Sequence, residues 1–165
     1  MKEYLVFSDA HGDSLSMEKV IASHKDIKDV LFLGDGISAM LSLSVKFSDI
    51  RFLAVKGNCD VLSFCSMGEC FAAEEVIEAE GHRILLTHCH KQGVKSSLVP
   101  LATLAVELGC DIALFGHTHA YTERYESVYN TTVSLFNPGS IGDFSASYGI
   151  LHINGQNVLF SQGTL

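Results

Sequence analysis

Two histidines stand two residues apart in "GHTH", His117 and His119, and a second such pair, His88 and His90, stands in "THCH". Asp9, His11 and Asp13 share "SDAHGD", Asp35 sits in "GDG", and Asn58 and Asp60 sit in "KGNCD". Carboxylate, imidazole and amide oxygen form a mixed donor set that suits borderline-hard divalent ions such as Mn²⁺, Fe²⁺ or Zn²⁺. Taken singly, each cluster has a plainer reading. Asp9 could cap a helix, Gly-Asp and Gly-Asn are ordinary turn chemistry, and one His-x-His is more often a polar strand end than a site. The joint pattern favours chemistry. Four of the eight histidines fall in two clusters, and every cluster closely follows an apolar run. His24, His82 and His152 lie outside the pattern and read as surface or packing residues.

The runs that must position these side chains are "YLVF" (Tyr4 to Phe7), "VLFL" (Val30 to Leu33), "FLAV" (Phe52 to Val55), "ILL" (Ile84 to Leu86) and "IALF" (Ile112 to Phe115). Each is short and β-compatible, so each reads as a strand buried on both faces. Between them, "LSMEKVIASH" is a weakly amphipathic helix through Leu15, Val20 and Ile21. "SSLVPLATLAVELG" is a stronger one, with Ser97 as cap, Pro100 in the first turn and Gly109 as stop. Strand–helix alternation predicts a largely parallel sheet with right-handed crossovers. The carboxyl ends of such strands gather on one edge, where ligands bind, so the five clusters are expected to converge. In the last third, "TERYESVYNTTVSLFN" and "YGILHINGQNVLF" alternate, and Asn154-Gly155 signals a hairpin, which predicts added antiparallel strands. Without a linker or repeat, residues 1–165 read as one domain.

Composition narrows the function further. Apolar residues make up 47% of the chain, enough for a large core and against disorder. No run reaches the ~18 to 20 apolar residues of a membrane span, and "MKEYLVFSDAHGD" has no signal-peptide pattern, so a cytoplasmic protein with no membrane partner is expected. The net charge is −8, with eleven Lys plus Arg against nineteen Asp plus Glu, which argues against an extended nucleic-acid partner. A small phosphorylated substrate stays open, because bound metal ions reverse the local sign. The five cysteines are odd in number and form no CxxC pair, which suggests neither a disulfide framework nor a zinc ribbon.

In their order, "DAH", "GD", "GNCD", "THCH" and "GHTH" resemble the calcineurin-like metallophosphoesterases, and most of all their small single-domain phosphodiesterase branch. The likeness runs from Asp9 to Ser140 and includes "NPGS" at Asn137 to Ser140. It implies an α/β fold of four layers, two β-sheets face to face with helices outside, and a binuclear site at the strand ends. By the same resemblance Asp9, His11 and His119 hold one ion, Asn58, His88 and His117 hold the other, and Asp35 bridges them. A hydroxide between the ions is then the nucleophile. The implied cofactors are two divalent ions, Mn²⁺ first, with Fe²⁺, Zn²⁺ or Ni²⁺ also compatible. The implied partner is a small phosphodiester; a homo-oligomer is compatible with the sequence.

Asn58, Cys59, Asp60 and His90 carry the implied catalytic roles, and two departures bear on them. Many members of the wider superfamily place a His after Gly-Asn that, paired with the next Asp, protonates the leaving oxygen. Here Cys59 precedes Asp60, as is frequent in the branch. A thiol with a reference pKa of ~8.5 is a poor general acid, so leaving groups that need no protonation are expected to be favoured. Cys89 stands where the family usually has Gly, and it is strained if the turn needs a positive φ. "NPGS", often followed by Pro-Arg, is followed here by "IGDFSASYG" with no cation; it reads equally as a tight turn or a phosphate contact. The alternative function is a scaffold like the retromer subunit, which resembles these enzymes but works by protein contacts. The enzyme is favoured because all seven ligand positions are filled.

Overall fold

Leu5, Val30 and Phe52 lie side by side in three parallel strands, β1 (Lys2–Phe7), β2 (Asp29–Phe32) and β3 (Arg51–Ala54). Helices α1 (Ser14–Ser23) and α2 (Ile37–Lys46) connect them. The computed structural model describes residues 1–60 and 71–165, so Cys65 and Cys70 lie outside the described residues. Further along come β4 (Glu74–Ala79), β5 (His82–Thr87), α3 (Val99–Glu107), β6 (Ile112–Phe115), β7 (Thr122–Val128), β8 (Thr131–Asn137), β9 (Ser147–Asn154) and β10 (Asn157–Thr164). They complete two five-stranded sheets, one ordered β10-β9-β1-β2-β3 and the other β4-β5-β6-β8-β7. Three strands of each run parallel, β1-β2-β3 in the first and β5-β6-β8 in the second, while β9, β10, β4 and β7 pair antiparallel.

Strand alternation explains why the chain makes four layers. Along β1, Leu5 and Phe7 point to the side of α1 and α2, where Met17, Val20, Ile21, Met40 and Leu43 pack. Tyr4 and Val6 point the other way, into a central layer with Leu31, Ile84, Leu86, Leu114 and Phe136. On the far side, Leu85, Ala113, Phe115 and Leu135 meet Leu101, Ala102 and Ala105 of α3. Three apolar interfaces thus separate helices, sheet, sheet and helix. A fully buried Leu, Ile or Phe contributes roughly 1.5–3 kcal/mol, so strands buried on both faces anchor the loops at their ends.

Several local expectations need correcting. "FLAV" is not buried on both faces: β3 is an edge strand, and Phe52 and Leu53 are half-buried. Leu15 is exposed and Met17 takes its place in the core. The cap of α1 is Asp13, whose carboxylate accepts from Ser16 N at 3.0 Å, so Asp9 has another job. Leu98 rather than Ser97 stands at the start of α3, although Ser97 Oγ still accepts from Val99 N. In the last hairpin Asn154 pairs with Asn157, which puts Gly155 and Gln156 in the turn. Among the described residues, Cys59, Cys89 and Cys110 are free thiols, and no helix is long and apolar enough to cross a membrane.

His82 ties the two sheets together. Its Nδ1 bonds the Asp111 carboxylate before β6, and its Nε2 bonds the Gly155 carbonyl in the β9–β10 turn at 2.9 Å. Both partners only accept, so the buried ring carries both protons. Burial works against that charge, but the bonds to Asp111 and Gly155 outweigh it and hold the pKa above its ordinary value. The bridge is therefore fully present below the unfolded value of about 6.5 and is lost as pH rises through the folded one. The melting temperature lost by His82→Ala should be largest in mild acid and shrink through the alkaline range. An unchanging difference across that range would show that the charge contributes nothing.

Candidate metal centre

The carboxyl ends of β1, β2, β3, β5 and β6 meet at one edge of the two-sheet stack, because hydrogen bonds stitch the loops to one another. Asp9 N donates to Gly34 O and His11 N to Asp35 O, both at 2.9 Å. His117 N reaches back to Asp9 Oδ2 at 3.0 Å, and Ser8 Oγ donates to the same oxygen at 2.6 Å. The other oxygen, Asp9 Oδ1, is buried and has no hydrogen-bond partner. His88 Nδ1 donates to Leu33 O at 2.8 Å across the sheets, which fixes its tautomer and turns Nε2 into the same space. That nitrogen too is buried and without a hydrogen bond.

Nε2 of His88 stands 3.2 Å from Asp35 Oδ2 and 3.8 Å from Asp9 Oδ1. His119 Nε2 stands 3.3 Å from Asp9 Oδ1 and 3.3 Å from His11 Nε2. Ligands bound at ~2.1 Å to one ion are separated by roughly 3.0–3.4 Å in octahedral or tetrahedral geometry. Lone pairs this close repel each other unless a proton or a metal ion lies between them. Burial disfavours a proton on His88, but the Asp35 and Asp9 carboxylates outweigh it and raise its pKa above the ordinary value, so the pocket holds positive charge. The donor set therefore fits divalent ions. Three groups have ligand atoms within 4.8 Å of one another: Asp9, His11 and His119; Asp9, Asp35 and His88; and His11, Asp35 and Cys59. Asp9 and Asp35 each belong to two groups.

The rings of His88 and His117 lie 5.2 Å apart, and His90 sits 5.7 Å from His88 and 6.4 Å from His117. Burial lowers the pKa of His90 and His117, reinforced by the neighbouring His88 and a lysine in each case, Lys91 and Lys95, so both favour the neutral form that binds metal. Burial pushes the Asp35 carboxyl up, but His88 and the Cys59 amide outweigh it and hold it well below the usual carboxylate range. Asn58 is exposed at the mouth, with its Nδ2 3.3 Å from Cys59 Sγ.

Backbone strain marks the same place. Nine described residues other than glycine have positive φ; Glu80, Tyr129 and Asn130 lie in hairpin turns. The other six are Asp9, His11, Asp35, Cys89, His117 and His119. Such conformations cost about 1–3 kcal/mol each and concentrate at functional sites. They also set the geometry of "GHTH". His117 and His119 turn through left-handed conformations beyond β6, which point His117 toward His88 and His90 and His119 toward Asp9, His11 and Asp143. Cys89, at φ +69°, carries the expected strain; its buried thiol, pushed up to about 12 by burial, packs in the core under α3.

One implied catalytic residue, Asp60, and the "NPGS" motif carry structural bonds of their own. The Asp60 carboxylate accepts four backbone N–H groups, from Asp35 at 2.7 Å, Gly57 at 2.9 Å, Gly36 at 2.9 Å and Ile37 at 3.0 Å. It caps α2 and ties the Asp35 loop to the Gly57 loop, with no acceptor left to orient an acid. "NPGS" is more than a bare turn. Buried Asn137 donates to Gly116 O at 2.9 Å and Thr118 Oγ1 at 3.0 Å, and Ser140 Oγ donates to Asp9 O at 2.9 Å, so the motif braces two site loops. Asp143 escaped sequence reasoning altogether: its carboxylate lies 3.0 Å from His119 Nδ1 and orients that ring, as a carboxylate commonly does behind a ligating His. Gly57 is equally constrained, since a Cβ there would stand 2.0 Å from Asp35 Oδ1.

A family model for the calcineurin-like phosphoesterase superfamily domain matches residues 2–156. The chain is 31% identical over 140 residues to the probable metallophosphoesterase YsnB of Bacillus subtilis (strain 168), covering 83% of this chain and 73% of that protein. Its fold is similar to a solved archaeal phosphodiesterase, with a TM-score of 0.73 at 22% identity over 99% of each chain. It is equally similar to a single mutant of Vps29 from Entamoeba histolytica, with a TM-score of 0.73 at 21% identity over 99% of each chain. At these identities the two structures speak for the fold.

Proposed function

The chain belongs to the calcineurin-like phosphoesterase superfamily, and on that premise we propose that it is a binuclear, metal-dependent phosphodiesterase acting on small diesters. The observation that carries this reading is the pair of buried, unpartnered ligand atoms, Asp9 Oδ1 and His88 Nε2, facing one space beside Asp35. Asp9, His11 and His119 would hold one ion, Asn58, His88 and His117 the other, with Asp35 between. When bound, two divalent ions supply an activated water and a clamp on the phosphoryl oxygens. The protein's own part is to hold its ligands in place: Ser8 and His117 N fix Asp9, Leu33 O fixes His88, and Asp143 fixes His119. His90, whose buried Nδ1 has no hydrogen-bond partner, would be available to a phosphoryl oxygen.

Among the described residues, no strong acid stands ready for the leaving oxygen. Asp35 first, then burial, raises the pKa of the Cys59 thiol, and Asp60 is fully engaged elsewhere. A positioned acid contributes about 10²- to 10⁴-fold, most with basic leaving groups. Loaded with Mn²⁺, the protein should bind two ions per chain and hydrolyse bis(p-nitrophenyl) phosphate far faster than methyl p-nitrophenyl or dialkyl esters lose an alkoxide. A plateau at one ion overturns the binuclear assignment. Two ions with no turnover of any diester would favour a protein-interaction scaffold that has kept its metals.

A further inference from the structure

We infer that Cys59 Sγ is itself a metal ligand, a thiolate donor shared with His11 and Asp35 that biases the site toward thiophilic ions. The inference rests on the metal-binding reading above. Three observations carry it. The ligand atoms of His11, Asp35 and Cys59 lie within 4.8 Å of one another, the same span that unites the two other groups. Residue 59 is held there from both sides: Cys59 N donates to Asp35 Oδ1 at 2.7 Å, and Asn58 Nδ2 approaches the sulfur at 3.3 Å. The orphaned Asp9 Oδ1 and His88 Nε2, both fully buried, open on the adjoining space through Asp35, so the sulfur is not an isolated thiol on a surface.

The surroundings also remove the competing role. A leaving-group acid needs a partner to orient it, and Asp60 gives both carboxylate oxygens to backbone N–H groups. What remains next to the sulfur is a carboxylate and an imidazole that are themselves ligands. On coordination an S–metal bond forms and the thiol proton leaves to solvent, with no change of oxidation state. One thiolate among N and O donors favours Zn²⁺ or Co²⁺ over Mn²⁺.

The test is spectroscopic and uses Co²⁺ alone, added without oxygen to the metal-free chain. The bound ion should show a near-ultraviolet sulfur-to-cobalt charge-transfer band beside its ligand-field bands. The band should survive in a Cys65→Ser/Cys70→Ser variant and vanish in Cys59→Ser. The preference for Zn²⁺ over Mn²⁺, read by competition, should fall about 10- to 100-fold in Cys59→Ser, the scale of a lost supporting contact or more. Ligand-field bands without charge transfer in the unaltered chain overturn the inference and leave the metal site standing, whatever the variants do. So does a band that persists in Cys59→Ser. If Co²⁺ fails to bind at all, both this inference and the metal-dependent reading fall.

Discussion

Asp35→Asn should abolish nearly all phosphodiester turnover, by about 10²- to 10³-fold, and leave the fold intact. Asp35 belongs to two of the three ligand groups and stands between the ends of both sheets. The substitution keeps shape: Asn tolerates the left-handed backbone at φ +59°, and its Oδ1 can still accept from Cys59 N. What disappears is one negative charge and one ligand oxygen, replaced by an NH₂ that cannot coordinate. Two-metal assistance supplies several kcal/mol, and each 1.36 kcal/mol is tenfold in rate, so losing about 3–4 kcal/mol gives the stated range. Metal content should fall with activity, while the melting temperature of the metal-free chain stays close to the unaltered one. Wild-type kcat/KM at limiting Mn²⁺ would show that Asp35 does not sit between the ions.

The parts of this site that were legible in the sequence are those written locally. "DAH", "GD", "GNCD", "THCH" and "GHTH" each follow an apolar run, and a parallel strand order brings such ends together. The double burial of β1, β2, β5 and β6 was visible as unbroken apolar runs. What stayed hidden depends on distant partners. Helix α2 begins at Gly36 with no capping side chain of its own, because its cap, Asp60, stands more than twenty residues later. The His119–Asp143 contact joins a turn after β6 to a loop after β8, and no motif spacing encodes it. "FLAV" looked as buried as its neighbours, since apolar content does not reveal which strand ends at an edge. The left-handed backbone of His117 and His119 was invisible for a different reason: those residues rarely adopt it, and only the surrounding hydrogen bonds hold them there.

Asp60→Asn separates two roles that a motif alone confuses. In the sequence Asp60 follows the position of a leaving-group acid and reads as its partner. In the fold its two oxygens hold four N–H groups from the Asp35 loop, the first turn of α2 and Gly57. Charge-assisted bonds of this kind contribute ~1.5–3 kcal/mol each, and a carboxylate at a helix start adds its favourable dipole interaction. An amide keeps two acceptor lone pairs but points donors at two of the four N–H groups. Asp60 is half-buried, so water recovers part of the loss and the net cost should be about 3 kcal/mol. For a chain of 165 residues that is a drop of roughly 6–12 °C in melting temperature. Because Asp35 N is one of the four donors, metal affinity should fall too, and turnover should drop by a similar factor for good and poor leaving groups. An acid's partner would behave otherwise, with an unchanged melting temperature and a loss concentrated on alkyl leaving groups. The same geometry sets the outcome for Cys59→His. An imidazole there finds no free acceptor on Asp60, so the steep dependence on leaving-group pKa should persist with both metals bound. If Cys59→His instead flattens that dependence, and Asp60→Asn removes the gain without lowering the melting temperature, the carboxylate is a proton-relay partner after all.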